Sequence, residues 1–233
     1  MNIQRFAPIG LIDSGIGGLS LLKNLVSKYP NENYIYVADN LNMPYGNKST
    51  KFLRSRILEL IDYLVDTFNV KLVILACNTA SVTSLEYVRK HSKVEVLGLD
   101  ISGLVMQDSK IICTKLTAKH YQNLNVYPFN NLATSIEQNI FDRYTLERKI
   151  KNALSRGQIN ENNIILGCTH YELVKDIFKQ ANPEKNYICP CKEFVNNLKL
   201  QKPNLSLSKG DVLMISTIAT KSYIDKLWKI FKS

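Results

Sequence analysis

Two stretches of this chain are built alike, and they restrict what it can become more than any other feature. Leu72 to Val82 reads LVILACNTASV, and Ile164 to Val174 reads IILGCTHYELV. Each is a run of aliphatic and β-branched residues that stops at a small residue and a cysteine. Each then meets an Asn-Thr or Thr-His pair and passes into helical spacing. A residue at the end of a buried strand, before a helix N-terminus, sits where parallel α/β sheets bind ligands. Free N–H groups and the positive end of the helix dipole favour a thiolate there. A lone free cysteine after a strand reads as core. Two matched units instead suggest two thiols, Cys77 and Cys168, that approach one substrate from opposite sides.

The remaining cysteines have no such surroundings. Cys113 closes KIIC without a polar motif behind it and reads as core. Cys189 and Cys191 flank Pro190, and a lone Cys-Pro-Cys lacks the second ligand pair of a metal site. Five cysteines at irregular spacing do not form a disulfide framework.

The 233 residues suffice for one large or two modest domains. No apolar run approaches the roughly 18 residues of a membrane span. The start, MNIQRFAPIGLID, lacks a basic region followed by a signal-peptide core. The chain reads as cytosolic. A net charge of +10 raises a nucleic-acid partner as a possibility. The basic residues are spread over solvated helix faces, however, with local density only near Lys48 to Arg56 and in the last helix. The charge therefore points to surface, and to a field that helps an anionic small substrate.

Taken in order, strand and helix patterns alternate, the signature of a parallel α/β sheet. Pro8 to Asp13 is a strand, followed by Ser14-Gly15-Ile16-Gly17-Gly18, whose glycines allow a tight turn and close approach to a bound group. Leu19, Leu22, Leu25 and Val26 mark the next helix. Tyr34 to Ala38 is a second strand, with Asp39 at its end. Pro44-Tyr45-Gly46 is a turn that presents an aromatic, and Ser49 or Thr50 caps the long helix after it. Val94 to Leu99 is a fourth strand. The pattern restarts with strands at Lys110 to Cys113 and Leu124 to Tyr127 and a charged helix over 145–155. Thr169 and Glu172 fit a capping box for a helix reaching Phe178. GDVLMIST is one more strand, and Ile224, Leu227, Trp228 and Phe231 give the last helix an apolar face.

With these residues in place, the chain resembles the glutamate racemases of the cofactor-independent aspartate/glutamate racemase superfamily. The matching motifs are IGLIDSGIGGLS (9–20), MPYGNKS (43–49), LACNTAS (75–81) and ILGCTHYELV (165–174). The resemblance implies two similar α/β lobes with mostly parallel sheets and an active site between them. The first lobe would comprise 1–98 and 209–233, the second 99–208. The connections near Leu97 to Gly103 and Lys202 to Lys209 would be the places open to a protease. It also implies a homodimer, glutamate as substrate, no nucleic acid or membrane partner, and a product used in peptidoglycan synthesis.

By the same resemblance, Cys77 and Cys168 are the two acid/base groups. Asp13 assists the first and His170 the second. Ser14, Tyr45, Gly46, Asn78, Thr79 and Thr169 hold the substrate's amino and carboxylate groups, with Asp13 and His170 beside them. Inverting an α-carbon without a cofactor needs a base on one face and an acid on the other, and a thiolate serves only if desolvated and well aligned. No pyridoxal-phosphate signature and no zinc spacing accompanies the pair, so no cofactor or metal is expected. Tyr45 reads equally as a packed loop aromatic, and Asp13 or Ser14 as a helix cap.

The chain departs from the family pattern in three places. Tyr127-Pro128 stands where Cys-Pro is usual, and the spacing to Glu137, a residue that would aid the amino end or the second thiol, is longer. The Thr114/Thr117 segment is shortened before Tyr121. ICPCKEFVNNL replaces an acidic Asp-Ser-Gly-like stretch. Other readings stay open at this level: a racemase of aspartate or another amino acid, a one-thiol decarboxylase or hydrolase, and a weakly active protein kept for binding.

Overall fold

The computed structural model describes residues 6–201, 203–204 and 208–233. The first five residues of the N-terminal stretch, and residues 202 and 205–207 of the 202–209 connection, lie outside the described residues. Among the described residues the chain forms two parallel sheets, each with helices on both faces.

The first sheet is built from β1 (Ile9–Asp13), β2 (Tyr34–Ala38), β3 (Leu72–Leu75), β4 (Glu95–Gly98) and β9 (Val212–Ser216), in the order β4-β3-β1-β2-β9. Its connections include α1 (Leu19–Lys28), α2 (Thr50–Phe68) and α3 (Asn78–His91). β1, at the centre, is buried along its length, which is why it reads as a continuous apolar run. Successive strand side chains point to opposite faces. Ile9 and Leu11 therefore join α1 and the C-terminal helix α10 (Lys221–Lys232), while Ile12 joins Leu53, Ile57 and Ile61 of α2. The Ser49 hydroxyl caps α2 by accepting from Phe52 N at 3.2 Å.

The second sheet runs β6-β5-β7-β8, from β5 (Ser109–Cys113), β6 (Val126–Pro128), β7 (Asn163–Gly167) and β8 (Asn186–Ile188). Around it lie α4 (Lys115–His120), α5 (Leu132–Asn139), α6 (Arg143–Gly157), α7 (Thr169–Leu173), α8 (Lys175–Ala181) and α9 (Pro190–Asn197). Cys113 is fully buried among Ile101, Ile111, Tyr121 and Ile165, and burial pushes its thiol up to about 12. α9 begins with Cys189 at its N-cap and Pro190 at its first position. It buries Cys191 and Val195 in the core of the first sheet beside α1, although it lies in the stretch expected to belong to the second lobe.

Two local expectations are corrected. The capping box at Thr169 and Glu172 does not form: Cys168 is the N-cap of α7 and no side chain caps it. The Thr169 hydroxyl donates instead to Asp13 Oδ2 at 3.1 Å, and Glu172 accepts from Ser20 Oγ and Cys191 N. These tertiary partners outcompete the local cap. The helix meant to run on to Phe178 is also divided at Val174, whose φ of −121° and ψ of 27° end α7 before α8 begins.

Candidate active site

Each cysteine of interest stands where its strand hands over to a helix. Cys77 is the N-cap of α3, just after β3, and Cys168 the N-cap of α7, just after β7. Both therefore lie outside the carboxyl ends of parallel strands, one from each sheet. Ser14, Tyr45, Gly46, Cys77, Asn78, Thr79, Cys168, Thr169 and His170 line one cavity, together with Pro44, Thr114 and Ala133. Asp13, fully buried at the end of β1, sits one hydrogen bond behind it, through Thr169. The free space among these side chains is about 10 Å³, on the scale of roughly a single water.

The two halves meet through side chains on both sides of the cavity. Asn78 Nδ2 donates to the Gly167 carbonyl at 2.8 Å, and Asn78 Oδ1 is buried with no hydrogen-bond partner among the described residues. Thr79 Oγ1 lies 3.0 Å from Thr114 Oγ1 and 3.2 Å from Thr117 Oγ1, so three hydroxyls close one edge. The glycines after Asp13 make the approach possible. None of the described glycines has a positive φ, so the tight turn expected of them is not what needs glycine. A Cβ on Gly17 would meet the Thr169 hydroxyl and stand 2.8 Å from the His170 backbone nitrogen, and one on Gly15 would run into the Glu137 carboxylate. Neither Asp13 nor Ser14 caps α1, whose N-cap is Gly18. Asp13 Oδ1 accepts from Gly15 N at 2.9 Å instead.

Around Cys77 the electrostatics oppose ionisation. Burial and the nearby Asp13 carboxyl push the thiol well above its ordinary value, outweighing the Ala80 N–H and the Ser14 hydroxyl, whose oxygen is 4.0 Å from Sγ. The expected depression of this thiol by the helix N-terminus is thus overridden by desolvation. Burial also raises Asp13, against the pull of His170 and the Gly15 N–H.

Around Cys168 the arrangement differs. His170 is 2% exposed, and burial alone would favour the neutral ring. Hydrogen bonds to Cys168 and Glu137 outweigh it and hold His170 well above its usual range. His170 Nε2 lies 2.7 Å from Glu137 Oε2, which also accepts from Ile16 N at 2.9 Å. Burial opposes ionisation of Glu137, but His170, Ile16 and Tyr223 hold the carboxyl down at about 2.

Tyr45 is 1% exposed, and its hydroxyl donates to Asp39 Oδ2 at 2.7 Å. Arg56 grips the same carboxylate through Nε and Nη2 at 3.1 and 2.9 Å. The Tyr45 ring is thus packed and its phenol engaged, while the residue still borders the cavity. Asp39 was visible in the sequence only as an acid at a strand end. Tyr223, which donates to Glu137, gives no sequence signal: it lies on an ordinary amphipathic helix far along the chain.

No protein-family model matches the chain. Curated relatives do. A glutamate racemase of Buchnera aphidicola is 33% identical over 211 residues, covering 81% of this chain and 82% of that protein. One of Fusobacterium nucleatum is 34% identical over 194 residues, covering 74% and 73%. Among solved structures, a glutamate racemase isoform of Bacillus anthracis has a TM-score of 0.82 at 25% identity, over 97% of this chain and 94% of that one. A Francisella tularensis glutamate racemase solved with D-glutamate has a TM-score of 0.78 at 26% identity, over 98% and 95%. By its identity to these relatives over most of its residues, and by its fold, the chain belongs to the glutamate racemase family.

Proposed function

We propose that this chain interconverts L- and D-glutamate by moving a proton on each face of the α-carbon, with Cys77 on one side and Cys168 on the other. The observation that carries this reading is that both cysteines, each the N-cap of a post-strand helix from a different sheet, line one cavity. One thiolate takes the α-proton. The Cα–H bond breaks, an S–H bond forms, and the electron pair is spread into the substrate carboxylate. The opposite thiol then delivers its own proton to the other face and is left as thiolate. Which cysteine begins depends on the enantiomer bound.

The surroundings suit these tasks. A desolvated thiolate at Cys77 is a strong base because its conjugate acid is weakened by burial and by Asp13. His170, protonated against Glu137, steadies charge on Cys168. The unpartnered Asn78 Oδ1 is an acceptor for the substrate ammonium, and the Thr79, Thr114 and Thr117 hydroxyls are donors for a carboxylate. Free space of about 10 Å³ is far below what glutamate fills, so entry requires the halves to part, and closure then excludes water.

The reading extends to cofactor independence, a cytoplasmic location, a homodimer, a product destined for peptidoglycan, and a division into 1–98 with 209–233 and 99–208. The pairing of β9 with β2 supports the return of the chain's end to the first lobe.

Circular dichroism at fixed wavelength, on L-glutamate, D-glutamate and L-aspartate in turn, tests the substrate. Turnover of aspartate without glutamate would sink the assignment. Cys77→Ser and Cys168→Ser should each lower racemisation by on the order of 10²–10⁴-fold, because a serine hydroxyl cannot supply the basic anion. Near wild-type rates in either variant would refute the two-thiol assignment.

A further inference from the structure

Glu137 receives more hydrogen bonds than His170 and its own helix supply. Tyr223 OH donates to Oε1 at 2.5 Å. Lys226 donates through Nζ to the Glu137 main-chain carbonyl, and the same nitrogen lies 3.7 Å from Oε1. Tyr223 and Lys226 are three residues apart on α10, on one face of the helix. α10 follows β9 of the first sheet, whereas Glu137 is on α5 against the second. A helix from one half thus holds the carboxylate that backs the histidine beside the other half's cysteine.

We propose that Tyr223 and Lys226 are positioning residues for the second thiol: they fix the Glu137 carboxylate against His170 and thereby set how readily His170 releases its proton next to Cys168. The catalytic consequence rests on the two-thiol reading above, whereas the effect on the His170 ring does not. Burial and the Glu137 charge keep the Tyr223 phenol far above its ordinary value, so it stays a donor throughout the working range. Removing its O–H takes a competing donor from a carboxylate that stays ionised, so Glu137 accepts more strongly from the imidazolium and holds its proton longer.

The other groups acting on this pair are few. Asp13, from the end of β1, favours a proton on His170 and opposes charge on Glu137. Tyr36, from β2, is held protonated by burial and spends its O–H on the Gly15 carbonyl at 2.6 Å. Cys168 faces His170 from its own turn. None of these replaces the Tyr223 donor at Oε1.

The test is Tyr223→Phe, which keeps the ring, alongside Lys226→Met, which keeps the stem and removes the charge. Nitrogen NMR of histidine-labelled protein without substrate follows His170, with His91 and His120 identified by substitution. In Tyr223→Phe the imidazolium should persist to a pH about one unit higher than in wild type, and Lys226→Met, which removes a neighbouring positive charge, should shift it in the same direction. The alkaline limb of kcat/KM should move with it, equally for both enantiomers because their equilibrium constant is one. His170 signals that superimpose on wild type at every pH in a folded Tyr223→Phe protein would overturn the proposal. If that variant does not fold, unchanged signals in Lys226→Met overturn it. If the wild type proves not to racemise glutamate, the proposed function fails while the NMR comparison still decides the coupling.

Discussion

Asn78 Nδ2 donates to the Gly167 carbonyl at 2.8 Å, so the residue that follows one cysteine grips the residue that precedes the other. This bond fixes the separation of the two N-caps more directly than packing between the sheets can, because it joins the backbone turns that carry the thiols.

Asn78→Ala should therefore affect rate more than stability. The Gly167 carbonyl loses a buried donor, a cost of about 1–3 kcal/mol, visible as a lower urea midpoint. The racemase kcat/KM should fall by at least about 100-fold, since a small misplacement of groups acting on opposite faces is costly. A variant with the expected loss of stability and unimpaired kcat/KM would show that the bond does not set the thiol geometry.

Gly17→Ala should separate the halves without unfolding the first sheet. A methyl group there meets the Thr169 hydroxyl and, at 2.8 Å, the His170 backbone nitrogen. A backbone atom cannot rotate away as a side-chain end can, so α7 must shift as a whole. Racemisation should drop by at least about 100-fold, with far-UV dichroism retained. Full activity would mean that the contact yields at little cost.

Glu172 predicts a pH effect unrelated to catalysis. Its carboxyl is buried where α7 meets α1 and α9, accepting from Cys191 N at 3.0 Å and Ser20 Oγ at 3.3 Å. Burial dominates these bonds and raises it to about 7, from an ordinary 4.5. The folded protein then keeps a proton that the unfolded chain releases, so stability falls as pH rises from about 4.5 to about 7 and levels off above that. The total is roughly 3 kcal/mol. Glu172→Gln, which keeps an acceptor for Cys191 N, should lose this component. Urea unfolding at pH 4.5 and 7.5 compares the two proteins, and equal changes in both would reject the assignment.

Much of this was legible from residue order, for identifiable reasons. Strands ending in Cys77 and Cys168 announce themselves because a parallel strand buried on both faces must be apolar and a polar motif after it stands out. The local patterns failed where a distant partner won. Thr169 and Glu172 spell a capping box, yet Asp13, Ser20 and Cys191 take their hydrogen bonds. The N-terminal position of Cys77 argues for a depressed thiol, yet desolvation, which depends on what covers the site, decides the sign. Nothing in the order of ICPCKEFVNNL announces that its helix buries Cys191 and Val195 beside α1. Glu137 was visible as an acid of uncertain register, and its partnership with His170 needed the fold.

Ligand-linked stability tests substrate and architecture together. If glutamate is held between the halves, it binds the folded chain and not the unfolded one, and the melting temperature must rise. Well above the dissociation constant the gain follows the logarithm of concentration, reaching about 2.7 kcal/mol at a hundredfold excess. Ser14, Gly46 and Asn78 border the cavity from the first half, Thr169 from the second. Loss of contacts on either side should therefore reduce the shift, as Ser14→Ala and Thr169→Val would report. The same closure should slow proteolysis in the Leu97 to Gly103 connection, which lies between β4 and β5 and exposes Asp100, Ser102 and Gly103. The Lys202 to Lys209 connection, partly outside the described residues, should behave alike if it too joins the halves. L-aspartate at equal concentration is the control, and a shift as large as that given by glutamate would remove the argument for substrate choice. A melting curve and a cleavage pattern both indifferent to millimolar glutamate would exclude a closed site between the two sheets.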